Sequence, residues 1–184
     1  LCRVMFDFFK KKREPSYDVT NLGLQDLDFD FIFDYDMKSW VVKEVYEYDW
    51  SNNNFSHEYK VDSGDEVAFL SIEDSSDLII TLMKAIKIRK IDEDIAQMVA
   101  DNKKAPQQVH FEGETYYMSS ESAGYFRDCG KKTEDWEELF SWEYYNENED
   151  KIISITQWDE HTFDAFAGIV LAPHQISNII PGGS

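Results

Sequence analysis

Four histidines and two cysteines are the residues most able to ligate a metal or attack an electrophile, and their spacing favours neither chemistry. His57, His110, His161 and His174 include no i, i+4 pair and no cysteine partner at zinc-site spacing. Cys129, in Arg127-Asp128-Cys129-Gly130, lacks the flanking signature of a nucleophile, and Cys2 lies near the start. Both read as reduced thiols. Oxygen ligands are more plentiful. The turns Asp62-Ser63-Gly64-Asp65-Glu66 and Glu147-Asn148-Glu149-Asp150 bunch carboxylates that calcium accepts, which makes Asp62, Asp65, Glu147 and Asp150 the metal candidates. These turns are too short for a twelve-residue EF-hand loop, and soluble acidic turns are the plainer reading. No phosphate-cradling glycine loop and no nucleophile elbow occur. With 37 acidic residues, no single carboxylate pair stands out for acid–base work. No cofactor is expected.

The opening segment is the chain's oddest. Phe6, Phe8 and Phe9 run directly into Lys10, Lys11, Lys12 and Arg13, a pattern suited to a weak, reversible anchor at an anionic lipid surface or to a protein partner. The plainer reading packs these rings on the chain's own body while the cations meet its acidic surface. Residues 1–4, ahead of Met5, are set aside from fold reasoning. Trp40, Trp50, Trp136, Trp142 and Trp158 could line a groove for a peptide or sugar. A sheet protein with few leucines needs most of them as core.

Charge narrows the partners. Thirty-seven acids against 18 bases give −19, and the first thirteen residues hold five of the bases and one acid, leaving a body at −23. Such a field repels nucleic acid and favours cations and basic partners. The longest apolar run, Phe166 to Ala172, is interrupted by Gly168 and falls far short of the roughly 20 residues of a spanning helix. No signal peptide is visible, so the expected location is the cytoplasm, at the inner face of the membrane if the first segment anchors there.

The elements that must position any site carry a repeat. Phe55, Ser56, Glu58 and Tyr59 recur 85 residues later as Phe140, Ser141, Glu143 and Tyr144, and Asp65, Asp74 and Ile91 recur as Asp150, Asp159 and Ile176. Upstream the offset is 76, with Trp40 facing Tyr116, so the second copy holds about nine extra residues near Arg127 to Asp135. Alternation of apolar and polar residues gives antiparallel strands throughout. On the strand from Phe55, the reading points Phe55, His57, Tyr59 and Val61 inward and Ser56, Glu58, Lys60 and Asp62 outward, with His57 packed in the core. Glu44-Val45 breaks the alternation and suggests a bulge. Ile91, Ile95, Met98 and Val99 fit a helix behind Asp92 as N-cap, ending near Lys103 and Lys104. In the second copy, strands are expected at 109–111, 115–118, 124–127, 136–145, 152–158 and 162–170, followed by one helical turn in the tail.

The fold expected is mainly β: two tandem antiparallel β-meander repeats, at 28–91 and 108–176, forming one sandwich or barrel-like domain, joined by a helix at 92–104. Residues 1–16 form the basic aromatic segment and linker, and 17–184 the domain. Neither copy should bury its apolar face alone.

Phe6-Asp7-Phe8-Phe9-Lys10-Lys11-Lys12, Phe33-Asp34-Tyr35-Asp36 with Trp40, Glu44 to Trp50, and Trp136 to Tyr145 with Trp158 resemble an uncharacterised bacterial family classed as a domain of unknown function. The resemblance covers nearly the whole chain. It implies a β-rich fold and genes often beside phage-shock-type membrane-stress proteins, small membrane proteins and polyamine-synthase-like enzymes. It carries no catalytic residues.

Two functions follow. The first is a non-enzymatic acidic accessory or scaffold module for a basic or membrane-associated partner in envelope stress. The alternative is a small-molecule binder or enzyme, for a polyamine or other cation, with its pocket between the repeats.

Overall fold

A computed structural model of the chain describes residues 22–51, 54–74, 78–102, 104–131 and 135–182. The aromatic basic segment at 6–13, Cys2 and Lys103 lie outside these.

Two five-strand meanders make up most of the molecule. The first comprises β1 (Ile32–Tyr35), β2 (Lys38–Asp49), β3 (Phe55–Asp62), β4 (Val67–Asp74) and β5 (Leu78–Ile86). The second comprises β6 (Gln108–Phe111), β7 (Glu114–Asp128), β8 (Glu137–Asn146), β9 (Lys151–Gln157) and β10 (Phe163–Leu171). All pairings are antiparallel, as short connections require. β5 pairs with β10 over Ile80–Ile86 and Ala165–Leu171, and β2 pairs with β7 over Tyr46–Asp49 and Tyr125–Asp128. Those two contacts close β2-β3-β4-β5-β10-β9-β8-β7 into a ring of eight strands. Closure pairs the edges of β5 and β10 and of β2 and β7 with one another, leaving the short strands β6 and β11 (Ser177–Ile180) as the sheet's edges.

The lengths of β2 and β7 make this possible. Each divides one edge between two partners: β2 gives residues 38–41 to β1 and 46–49 to β7, while β7 gives 114–117 to β6 and 125–128 to β2. The expectation of two strands at 115–118 and 124–127 is therefore corrected to one continuous strand. Ser120 to Ala123, too polar to suggest a buried strand, pair with β8, and Ser119 is the residue that bulges out.

A bulge in each long strand then sets which face its residues occupy. The β2 register slips between Val42 and Glu44, and the β7 register slips between Met118 and Ser120. One extra residue reverses the alternation. Thus Trp40 and Val42 face an apolar core on the ring's outer side, whereas Tyr48, of the same parity, faces the lumen.

Apolar side chains collect in two separate cores. One joins Phe33, Trp40, Val61, Leu70 and Ile80, covered by Leu27, Phe31 and the tail residue Ile176. The other joins Phe111, Tyr116, Trp142, Tyr144 and Ile155. Its cover is α1 (Ile95–Asn102), which places Ile95 and Val99 on one face by their i, i+4 spacing. The helix is shorter than the expected 92–104. Asp92 does not cap it: the Asp94 carbonyl accepts the first helical bond from Met98, and the Asp92 carboxylate accepts the Asp94 amide instead. The tail makes a 3-10 turn at Pro173–Gln175 and then an unforeseen strand, β11 (Ser177–Ile180), which pairs with β1.

Candidate functional site

Between the two cores the ring surrounds a half-open cavity of about 480 Å³, where carboxylates and hydroxyls are mixed with aromatic and aliphatic side chains. The polar pair of the recurring motif contributes to its lining from both β3 and β8. On β3, Ser56 and Glu58 point into the lumen while Tyr59 enters the first core, and on β8, Ser141 and Glu143 do the same while Tyr144 enters the second. Ser56 is 5% exposed, Ser141 6% and Glu58 8%. The sequence reading that turned Ser56 and Glu58 outward to water is corrected. Alternation along a closed strand separates an apolar flank from a polar lumen, and neither side of that division is solvent. His57, expected as a packed core residue, is exposed and lies against the Tyr59 ring at 6.4 Å. Phe55 is 42% exposed.

The cavity exists because the strands beside β3 and β8 differ. Across β2 and β3, Ser56 faces Tyr48 and Glu58 faces Tyr46. Across β7 and β8, Ser141 faces Ser122 and Glu143 faces Ser120. Tyr48 and Trp50 stack at 5.5 Å with an interplanar angle of 1°, and Trp50 leans on Gly124, where any Cβ would come within 2.6 Å of its ring. Aromatic bulk thus enters from one wall, and small hydroxyls on the other leave it room.

Two hydrogen bonds tie the aromatic wall to the motif. The Tyr48 hydroxyl donates to Glu58 Oε1 at 3.1 Å, and Trp50 Nε1 donates to Ser56 Oγ at 2.9 Å. Opposite, Ser120 Oγ donates to Glu143 Oε2 at 3.1 Å. Burial pushes the Glu58 carboxyl up to about 7, opposed by the Tyr48 bond and reinforced by Asp164. Glu143 is also raised by burial, against its Ser120 bond and with the nearby Glu73 adding to the shift. Lys60, two residues beyond Glu58, is held by Glu44 at 2.5 Å. The lining includes Glu58, Glu73, Glu143 and Glu149 and, among the described residues, no Lys, Arg or His. Beyond Tyr48, rings close the lumen: Phe126 packs on Tyr46 at 5.3 Å and on Trp158 at 5.1 Å, and Phe69 packs on Phe166 at 5.0 Å.

The residues singled out from sequence fall elsewhere. Asp62 receives the Gly64 amide at 2.7 Å and Asp150 receives Asn146 Nδ2 at 2.7 Å, each within its own turn. Asp65 and Glu147 are exposed. Among the described residues no three His, Cys, Asp or Glu side chains gather as metal ligands. Cys129 is exposed at the end of β7, its thiol pushed up by burial of its sulfur environment and then by Glu47. Of the tryptophans, Trp40 and Trp142 fill the cores, Trp50 lines the cavity, and Trp136 sits outside under the Arg127 guanidinium at 4.9 Å. Sequence reasoning passed over Glu58 and Glu143 although it had marked their motif. The available signal was a polar pair recurring at one parity, where repetition for packing alone would recur in apolar residues.

A family model described as "Domain of unknown function (DUF4178)" matches residues 29–173. No curated protein and no solved structure matches the chain.

Proposed function

Because the chain belongs to the DUF4178 family, whose description carries no activity, we propose from its site that it is a binding protein for a small organic cation held inside the strand ring. The observation that carries this reading is the charge of the lining: four carboxylates, two of them from the repeated motif, and, among the described residues, no basic side chain. Burying a carboxylate is costly, and burial raises the Glu58 carboxyl to about 7 even with the Tyr48 hydroxyl bonded to it. A cation would pair with the ionised form. Tyr48, Trp50 and Tyr145 add ring faces, which attract ammonium groups within about 6 Å by about 0.5–2 kcal/mol. An organic cation fits this lining better than a bare metal ion, which wants several ligands gathered at one point.

The reading corresponds to the second function expected from sequence. The accessory role toward a basic or membrane-associated partner rests on Phe6 to Arg13, and recovery on anionic liposomes with and without residues 1–13 is its separate test. Among the described residues no helix is long and apolar enough to cross a membrane.

Thermal unfolding in the presence of small amines, neutral diols and divalent salts tests the cavity reading. Amines should raise the Tm and diols should not; a ligand at a hundred times its Kd stabilises by about 2.7 kcal/mol. No rise with any amine at millimolar concentration would remove the proposal.

A further inference from the structure

The depth at which the cavity's carboxylates lie carries more than their number. Glu58 is the deepest, 8% exposed beneath Tyr48. Glu143 and Glu73 are half-buried and are charged neighbours of one another, although they come from β8 and β4 in different meanders. Glu149 is exposed in the β8–β9 turn at the rim. The carboxylate that acts most on Glu58 is Asp164 and the one that acts on Glu143 is Glu73, which stands on β4 opposite Ser56, two residues along the lumen face from Glu58. Glu58 and Glu143 stand on β3 and β8, three strand steps apart round the ring by the shorter way through β2 and β7. In a barrel of eight strands that separation places them on nearly opposite walls.

The space between them is furnished for a ligand. Ser141, Ser154 and Thr156 line the cavity, are 6–8% exposed, and have no side-chain hydrogen-bond partner among the described residues. Their oxygens open to the cavity space, where a ligand or water can bond them. The register carries Glu143 opposite Ser154 and Ser141 opposite Thr156, so these hydroxyls adjoin the outer carboxylate.

From this arrangement we infer that the ligand is a two-headed cation, an elongated molecule with one ammonium group at Glu58 under the stacked Tyr48 and Trp50 and a second between Glu143 and Glu73. The inference rests on the cation-binding reading and specifies its ligand class. A single ammonium would neutralise one carboxylate and leave the other, half-buried or deeper, without a counter-charge, whereas two joined by a chain satisfy both at one entropic cost. The volume of about 480 Å³ is ample for such a molecule.

Calorimetric titration with α,ω-diaminoalkanes of three to six carbons, the matching monoamines and the matching diols tests this, on the full chain at low salt. One diamine length should bind at least tenfold tighter than its monoamine. Glu58→Gln and Glu143→Gln should each bring the diamine down to the affinity of the monoamine, and Glu73→Gln, at a half-exposed position, should weaken the diamine alone. Equal binding of monoamine and diamine by the native protein would overturn the two-headed ligand and leave cation binding standing. Diols binding as well as amines, or no binding by any of the three series, would overturn both.

Discussion

The first and second meanders have the same strand order and the same motif on their third strand, yet their second strands make opposite contributions to the centre of the ring. β2 sends Tyr46, Tyr48 and Trp50 toward Glu58 and Ser56, while β7 sends Ser120 and Ser122 toward Glu143 and Ser141 and has Gly124 where Trp50 must pass. Two aromatic strands would fill the lumen, and two serine strands would leave it wide and wet. The cavity comes from combining one of each. The halves also differ in cover: one core lies under the first described residues and the tail, the other under α1. What the halves share holds the charge, and what they do not share makes the space.

The largest effect should come from breaking one half's core. Trp142→Ala removes a 2% exposed indole and its 2.8 Å bond to Glu121, and should cost about 3–5 kcal/mol in denaturant unfolding. A loss under about 1 kcal/mol would show that the second core is not an independent support. Next in size is the motif carboxylate. The Glu58 carboxyl is raised from 4.5 to about 7, so the folded protein keeps a proton that the unfolded chain gives up across that window. Ligand-free stability should therefore fall as pH rises from about 4.5 to 7, by about 3 kcal/mol, and Glu58→Gln should abolish that slope. A slope unchanged in the variant would locate the titration elsewhere. For the same reason amine affinity should rise with pH up to about 7.

Making the two walls alike is the sharper manipulation. Ser122→Tyr gives β7 the residue that β2 carries opposite the motif serine, and should reduce amine affinity at least tenfold, about 1.4 kcal/mol, with little loss of fold. Affinity unchanged by calorimetry would mean that the ligand sits outside the lumen. The smallest effect belongs to the surface. Lys38 and Lys84 both bind Glu66 and hold its carboxyl down at about 2, but the group is well exposed to water. Glu66→Gln should cost less than about 1 kcal/mol at pH 7, and that little should fade with added salt.

Strand positions were legible in sequence because period two survives wherever one face is apolar, as at Tyr59 and Val61 or Trp142 and Tyr144. The 76 offset between β1 and β6 is reproduced in their hairpin registers, where Tyr35 faces Lys38 and Phe111 faces Glu114. The 85 offset is not gapless in space. Ser56 pairs with Glu73 while Ser141 pairs with Thr156, so the strand next to each motif is offset by 83 instead. A shift of two keeps parity, which is why the pattern of apolar residues concealed it. The cavity was not legible, because a lone strand gives no sign of whether its polar side meets solvent or a lumen. That depends on the four residue pairs between β2 and β7, a contact between segments about eighty residues apart that no local pattern encodes.

The same four pairs order the assembly of the molecule in time. Hairpins within a meander join near neighbours in the chain and can form early, whereas both junctions between meanders must close loops of about eighty residues before they return any stabilisation. The β5–β10 junction spans seven pairs and can hold two half-built sheets together; the β2–β7 seam spans four and gains its full worth only once both sheets have curled. Loop-closure entropy therefore predicts that the ring seals late in folding and that the chamber takes shape after its walls.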